Sequence, residues 1–193
     1  MSEDHFHVHG PHDHTLEHAA EHGGGDGLSG RIAVTTAILA TLGALMSYQG
    51  GATQAEAGLY KNNAAIKKTE AGDQWAYYQA KGNKENLAEL GMTLAPAQDK
   101  QDFYRGEAER YKKEKEEIKT KAEQIEAESK NWDERSEAQL HVHHRWALAT
   151  TLLQIAIALS AIALLTRKGW LLYGVYTVAG LGLVVGVAAL AGF

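Results

Sequence analysis

The chain has 193 residues, a formal net charge of −5 and no cysteine. This excludes disulfides, a thiolate metal site and a cysteine nucleophile. Six acids (Glu3, Asp4, Asp13, Glu17, Glu21, Asp26) precede the first Lys or Arg, while the other eighteen acids and sixteen of the nineteen bases lie between Glu56 and Arg145. No basic stripe stands free of acids, so a nucleic-acid partner is not expected.

Residues 1–30 form a His-rich acidic tail. His5, His7, His9, His12, His14, His18 and His22 are seven of the ten histidines. Imidazole suits zinc, copper and nickel. His14, His18 and His22 stand four apart, so a helix beginning at Thr15 would stack them on one face beside Glu17 and Glu21. Gly23-Gly24-Gly25 then makes a leash. The tail reads as a collector of Zn, Cu or Ni, or as an acidic segment with incidental metal affinity. No cofactor is required under either reading. An acidic start does not match the basic beginning of a cleaved signal peptide.

Residues 31–50 form the first expected transmembrane helix. Thr35, Thr36, Thr41 and Ser47 interrupt its apolar run, but their hydroxyls can bond to carbonyls one turn back. Ala33, Ala37, Ala40 and Ala44 make a small face on it.

Residues 51–145 are rich in Ala, Glu, Lys and Gln, which favour helix. Gly91 followed by Pro96 predicts a stop, and Asp99 a restart. Two arms follow, roughly 50–90 and 98–145, with a turn near 91–97. Gly50-Gly51 is a candidate hinge. The second arm repeats every seven residues through Tyr104, Tyr111, Ile118, Ile125 and Trp132. Four residues after each come Ala108, Lys115, Ala122, Ser129 and Ser136. Large and small positions in alternation suit a close, coiled-coil-like antiparallel pair. The first arm repeats less cleanly through Leu59, Ile66, Asp73, Ala80 and Leu87. Arms of ~40 residues would extend ~60 Å. So few large apolar residues leave stripes that one hairpin does not bury, and a homo-oligomer is the expected assembly.

Two polar clusters stand out in this segment. Helical spacing puts Asp73, Tyr77 and Lys81 in one row, Trp75 and Gln79 in another, and Tyr78 beside them. Such a cluster binds a ligand or partner, or fixes register between helices as a polar core layer. His141, His143 and His144 adjoin Trp146. They read as polar anchoring in the headgroup region beside a Trp, or as a pH-sensitive contact.

Residues 146–166 and 169–193 form the second and third expected spans. Each holds an apolar run near the ~20 residues a helix needs to cross a bilayer core. Gly182 and Gly186 stand four apart, and small faces of this kind allow close packing in lipid. Gln154 is the only amide well inside a span, and no Asp, Glu, Lys, Arg or His stands there to mark an ion path. No phosphate loop, nucleophile elbow or zinc-hydrolase motif is present, so an enzyme is not expected.

The expected fold class is thus all-α: an integral membrane protein with three transmembrane helices and a long antiparallel helical hairpin between the first and second. The His- and Glu-rich start, GRIAVTTAILATLGALMS at 30–47, EAGDQWAYYQAKGNK at 70–84 and the closing LLTRKGWLLYGV resemble a bacterial membrane family, domain-of-unknown-function family 4337. The resemblance implies an integral membrane protein with a helical insert, and no activity.

The Arg167-Lys168 turn, helped by Arg31, places the N-terminus in the cytoplasm and the hairpin outside the inner membrane. The partners expected are the lipid bilayer and further copies of the chain; the residues name no small-molecule ligand. Three roles follow: a homo-oligomeric scaffold, a metal-responsive protein using the His tail, or a pore lined by Thr35, Thr41 and Gln154.

Overall fold

A computed structural model describes residues 27–191. The His-tail positions from His5 to His22, and the helix expected from Thr15, lie outside the described residues. Every element among the described residues is helical: α1 (Gly27–Leu94), α2 (Gln98–Thr166) and α3 (Leu171–Leu190). All three are long and apolar enough to cross a membrane, which is consistent with a membrane protein. The described residues group into two compact units. One comprises 55–140. The other comprises 27–54 with 141–191.

Helix boundaries follow local chemistry. Pro96 has no N–H and disfavours helix in the residue before it, so α1 ends at Leu94. α2 restarts at Gln98, with Asp99 in its first turn where the helix dipole favours an acid. The side chain of Gln101 closes the connection by donating to the Ala95 carbonyl at 2.8 Å. The break is therefore at 95–97, and helix continues through Gly91. A Cβ on Gly91 would sit 3.0 Å from the Tyr104 ring, so this glycine makes room for a side chain rather than stopping the helix. Gly50-Gly51 is not a break either, because α1 is helical throughout.

In unit 55–140 the two helices run antiparallel. Ser136 Oγ donates to the Ala57 carbonyl at 2.9 Å, and Ser129 Oγ to the Ala64 carbonyl at 2.8 Å. Both pairs advance by seven residues in opposite directions along the two helices. Ala57, Ala64, Ala71 and Ala88 are buried on α1, with Ile118, Ala122 and Ser136 on α2. The repeat on α2 thus faces the partner helix with its small positions. The stripe named on α1 does not: Leu59, Ile66 and Leu87 are 64%, 49% and 65% exposed. At Ser129 and Ser136 the hydroxyl-to-carbonyl bonds hold the backbones too close for Leu or Ile on α1, so alanines take its inner positions, while Ile118 of α2 is the large residue buried in the seam.

In the second unit α2 packs antiparallel to both α1 and α3. Leu39, Leu153, Ala156, Val175 and Ala179 form one core cluster, and Ile32, Ala163 and Leu172 another. Gly50 lets Trp146 in, since an added Cβ would lie 3.3 Å from the Trp146 Cβ. Trp146 is only 5% exposed, so it is a core residue and not a lipid-facing anchor. Trp170, at 65%, is the exposed one. His143 reaches across to donate Nδ1–H to the Gly50 carbonyl at 2.8 Å. His141 and His144 remain exposed.

Gly182 and Gly186 are both buried inside the chain. A Cβ on Gly182 would meet Leu152 Cβ at 3.2 Å and the Ala149 carbonyl oxygen at 3.3 Å. On Gly186 it would meet the Met46 methyl at 2.6 Å. These glycines bring α3 against its own neighbours, so they are not free to join copies. Gly182→Ala should destabilise the protein by about 1–3 kcal/mol in reversible detergent unfolding, because backbone oxygen cannot yield. Gly186→Ala should cost less despite the shorter contact, because the Met46 methyl can swing away.

Candidate functional site

The alanine seam is interrupted at mid-hairpin. There α1 brings Tyr77, Tyr78, Lys81 and Glu85, and α2 brings Tyr111, Glu114 and Lys115. Lys81 pairs with Glu114, and Lys115 Nζ bonds Glu85 at 2.8 Å. Lys81 Nζ also lies 5.3 Å from the Tyr77 ring centre and 5.4 Å from that of Tyr111. Lys115 Nζ lies 5.1 Å from the Tyr78 ring. Each ammonium therefore has a carboxylate on the facing helix and an aromatic face beside it. Such contacts gain strength where water is partly excluded. The pairs are partly covered: Lys81 and Glu114 side chains are 14% and 34% exposed, and Lys115 and Glu85 are 21% and 12% exposed. Gly82 carries no side chain, and a Cβ there would touch the Lys115 chain at 3.7 Å.

The charges support each other. Its hydrogen bond to Lys81 holds the Glu114 carboxyl below the usual carboxylate range. The same bond pushes the Lys81 ammonium up, with a smaller opposing effect from burial. Lys115 is pushed up by its bond to Glu85.

Of the residues the sequence singles out, Tyr77, Tyr78, Lys81 and Tyr111 meet in this layer. Trp75 stacks edge-on against Tyr78, centres 5.7 Å apart, and extends it. Asp73 and Gln79 are exposed, so the Asp73–Tyr77–Lys81 row is only half realised. Tyr104 covers Gly91 at the turn end, and Ile118 and Ile125 line the seam beyond the layer. Trp132 stacks on Tyr60 at 5.6 Å near the other end. Gly182 and Gly186 belong to the other unit. Glu85, Glu114 and Lys115 completed the layer without being foreseen as its charged members. Their signal was the seven-residue spacing that puts Lys115 at a small-residue position, where a long cation needs a carboxylate opposite. Among the described residues no group of three or more His, Asp or Glu could hold a metal ion.

The arrangement presents no nucleophile aimed at a cleft. It is a satisfied polar layer whose two cross-helix pairs, Lys81–Glu114 and Lys115–Glu85, favour the observed alignment of the two helices.

These features define an all-α protein with three helices long and apolar enough to cross a membrane, two of which also pair as an antiparallel hairpin. A family model described as Domain of unknown function (DUF4337) matches residues 28–192, and the chain belongs to that family. No curated protein and no solved structure gives a significant match.

The pH dependence of the hairpin follows from signs. Glu114 has a folded pKa below its ordinary 4.5, so its contribution is present above that value and is lost as pH falls through the folded pKa. Lys81 is raised above 10.5, so its contribution is present below that value and is lost as pH rises through the folded pKa. Glu114→Gln should lower the melting midpoint at neutral pH. Its deficit against the parent should shrink as pH falls below 4.5 and vanish only below the lowered folded pKa, where Glu114 itself is protonated. A deficit that persists unchanged in acid would show that the pair is not its source.

Proposed function

We propose that the protein is a homo-oligomeric scaffold of the bacterial inner membrane, assembled through the outward face of α1 in the hairpin. The observation that carries this reading is the character of that face. Leu59, Ile66, Tyr77, Leu87, Leu90 and Leu94 are 64%, 49%, 49%, 65%, 52% and 71% exposed. Residues 55–94 hold ten charged side chains, against twenty-three in 98–140. Four of the ten, Lys61, Lys67, Lys81 and Glu85, are already turned to carboxylates or an ammonium on α2. Lys68, Glu70, Asp73, Lys84 and Glu89 are exposed on the same arm, but the outward stripe at seven-residue spacing, Leu59, Ile66, Asp73, Ala80, Leu87 and Leu94, is charged only at Asp73. Covering each half-exposed Leu or Ile contributes roughly 1 kcal/mol. A face of this length offers several in each copy.

Gln154 adds support from the apolar unit. It is exposed near the middle of an uncharged stretch of α2. An amide there gains by hydrogen bonding to a neighbouring helix. Arg31, Arg167 and Lys168 favour a cytoplasmic N-terminus and an external hairpin. Metal binding by the tail is a separate proposal on residues outside those described.

The absence of native cysteine makes the test clean. Leu59→Cys and Leu87→Cys should each give disulfide-linked dimers in membranes, whereas Glu123→Cys on the charged side of α2 should not. Ile66→Asp should lower the assembled fraction at least tenfold by mass photometry while helicity is unchanged. A monomer with no cross-link at either leucine would sink the reading.

A further inference from the structure

A groove opens between α1 and α3 at the end of the apolar unit that carries the short α2–α3 turn. Gly27, Gly30, Arg31, Val34, Thr35 and Tyr176 line about 480 Å³ of it. The groove is shallow and open along one side. We propose that it binds an anionic phospholipid, the phosphate at Arg31 and an acyl chain along Val34 and the Tyr176 ring.

The first support is charge. Residues 27–54 and 141–191 contain four Arg or Lys (Arg31, Arg145, Arg167, Lys168) and no Asp or Glu. Three of the four are gathered at this end, because a Cβ on Gly169 in the turn would touch Leu28 of α1 at 4.0 Å. No described carboxylate of this unit balances them, and a cation at a membrane surface attracts anionic lipid. The second support is shape. Gly27 and Gly30 have open space where a side chain would stand, so among the described residues the approach to Arg31 is clear on that face. Tyr176 is 47% exposed and offers its ring as a wall one helix away. Arg31 is at the mouth, and Val34 lies one turn deeper.

The third support is backbone strain. Arg167 has φ of 53°, the left-handed conformation that normally falls to glycine at a helix C-terminus. A side chain there is disfavoured. Keeping a guanidinium in that conformation is explained when its charge serves this end of the unit.

The site rests on the spanning reading of this unit, not on the oligomer. The test is native mass spectrometry of the full chain in detergent, titrated with phosphatidylglycerol or phosphatidylcholine. Phosphatidylglycerol should bind tighter, and Arg31→Gln should weaken it on the order of fivefold while phosphatidylcholine is unchanged. Arg31→Lys should restore most of the loss. Val34→Trp, which fills the groove, should weaken both lipids. Arg167→Gly should weaken phosphatidylglycerol without lowering the melting midpoint, since glycine accepts that backbone. Equal binding of the two lipids, an unchanged ratio in Arg31→Gln, or displacement of the lipid by millimolar inorganic phosphate would overturn the site. Release of the chain from membranes by alkaline carbonate would overturn the spanning reading and the site together; retention without lipid preference overturns the site alone.

Discussion

Close approach of helices through their smallest residues is the constraint on which both units depend. In the hairpin, alanines on α1 face serines and alanine on α2. With no bulk between the backbones, Ser129 and Ser136 reach carbonyls of the opposite helix. In the apolar unit, Gly43, Gly50, Gly182 and Gly186 do the same, and His143 bonds the Gly50 carbonyl. Such seams bury little apolar area per residue. They gain from dense contact and from hydrogen bonds that only short distances permit. They also displace large residues. Leu59, Ile66 and Leu87 are outside because Ala57, Ala64, Ala71 and Ala88 take the inner positions of α1, and that displacement creates the face proposed for assembly.

A uniform seam of alanine and serine has many nearly equivalent alignments. The lysine–tyrosine–glutamate layer removes that degeneracy. Lys115 stands at a position that is small in neighbouring repeats, and its length is accommodated by Gly82 and Tyr78. In the observed register its charge, and that of Lys81, both find carboxylates on the facing helix. Polar groups at a packed position act mainly through what they forbid. The layer is better understood as an alignment device than as a binding site, since every charge in it is already satisfied within the hairpin.

The apolar unit shows the complementary economy. Most of its described Ser and Thr hydroxyls are satisfied within their own helices: Thr36, Thr41, Thr151, Ser160, Thr166 and Thr177 each donate to the carbonyl four residues back. Three of its four described Arg and Lys residues gather at the short turn, where the positive-inside rule has most force, and no described acid of the unit offsets them. Scaffold and lipid readings therefore draw on different surfaces, one an apolar stripe along the hairpin and one basic at the turn.

Several features were legible from the chain alone because they are properties of one helix or one bond. Pro96 lacks an N–H and breaks helix wherever it sits. The apolar stretches have the length of spans. On α2, large and small residues both recur every seven positions, so its inner face could be read directly. On α1 the same period was visible, but not which phase faced inward. Leu59 and Ile66 are the most apolar residues of their turns, and hydrophobicity picks them, whereas the separation of the two backbones picks Ala57 and Ala64. Gly91 and Gly50 looked like interruptions, because a glycine's value as empty space exists only once Tyr104 or Trp146 arrives from another helix. Trp146 beside three histidines resembled a surface anchor until Gly50 opened a place for it. Period, length and charge are written locally and survive without a partner. The choice of face, the use of a glycine and the closing of an ion pair depend on a distance between helices, which tertiary structure alone decides.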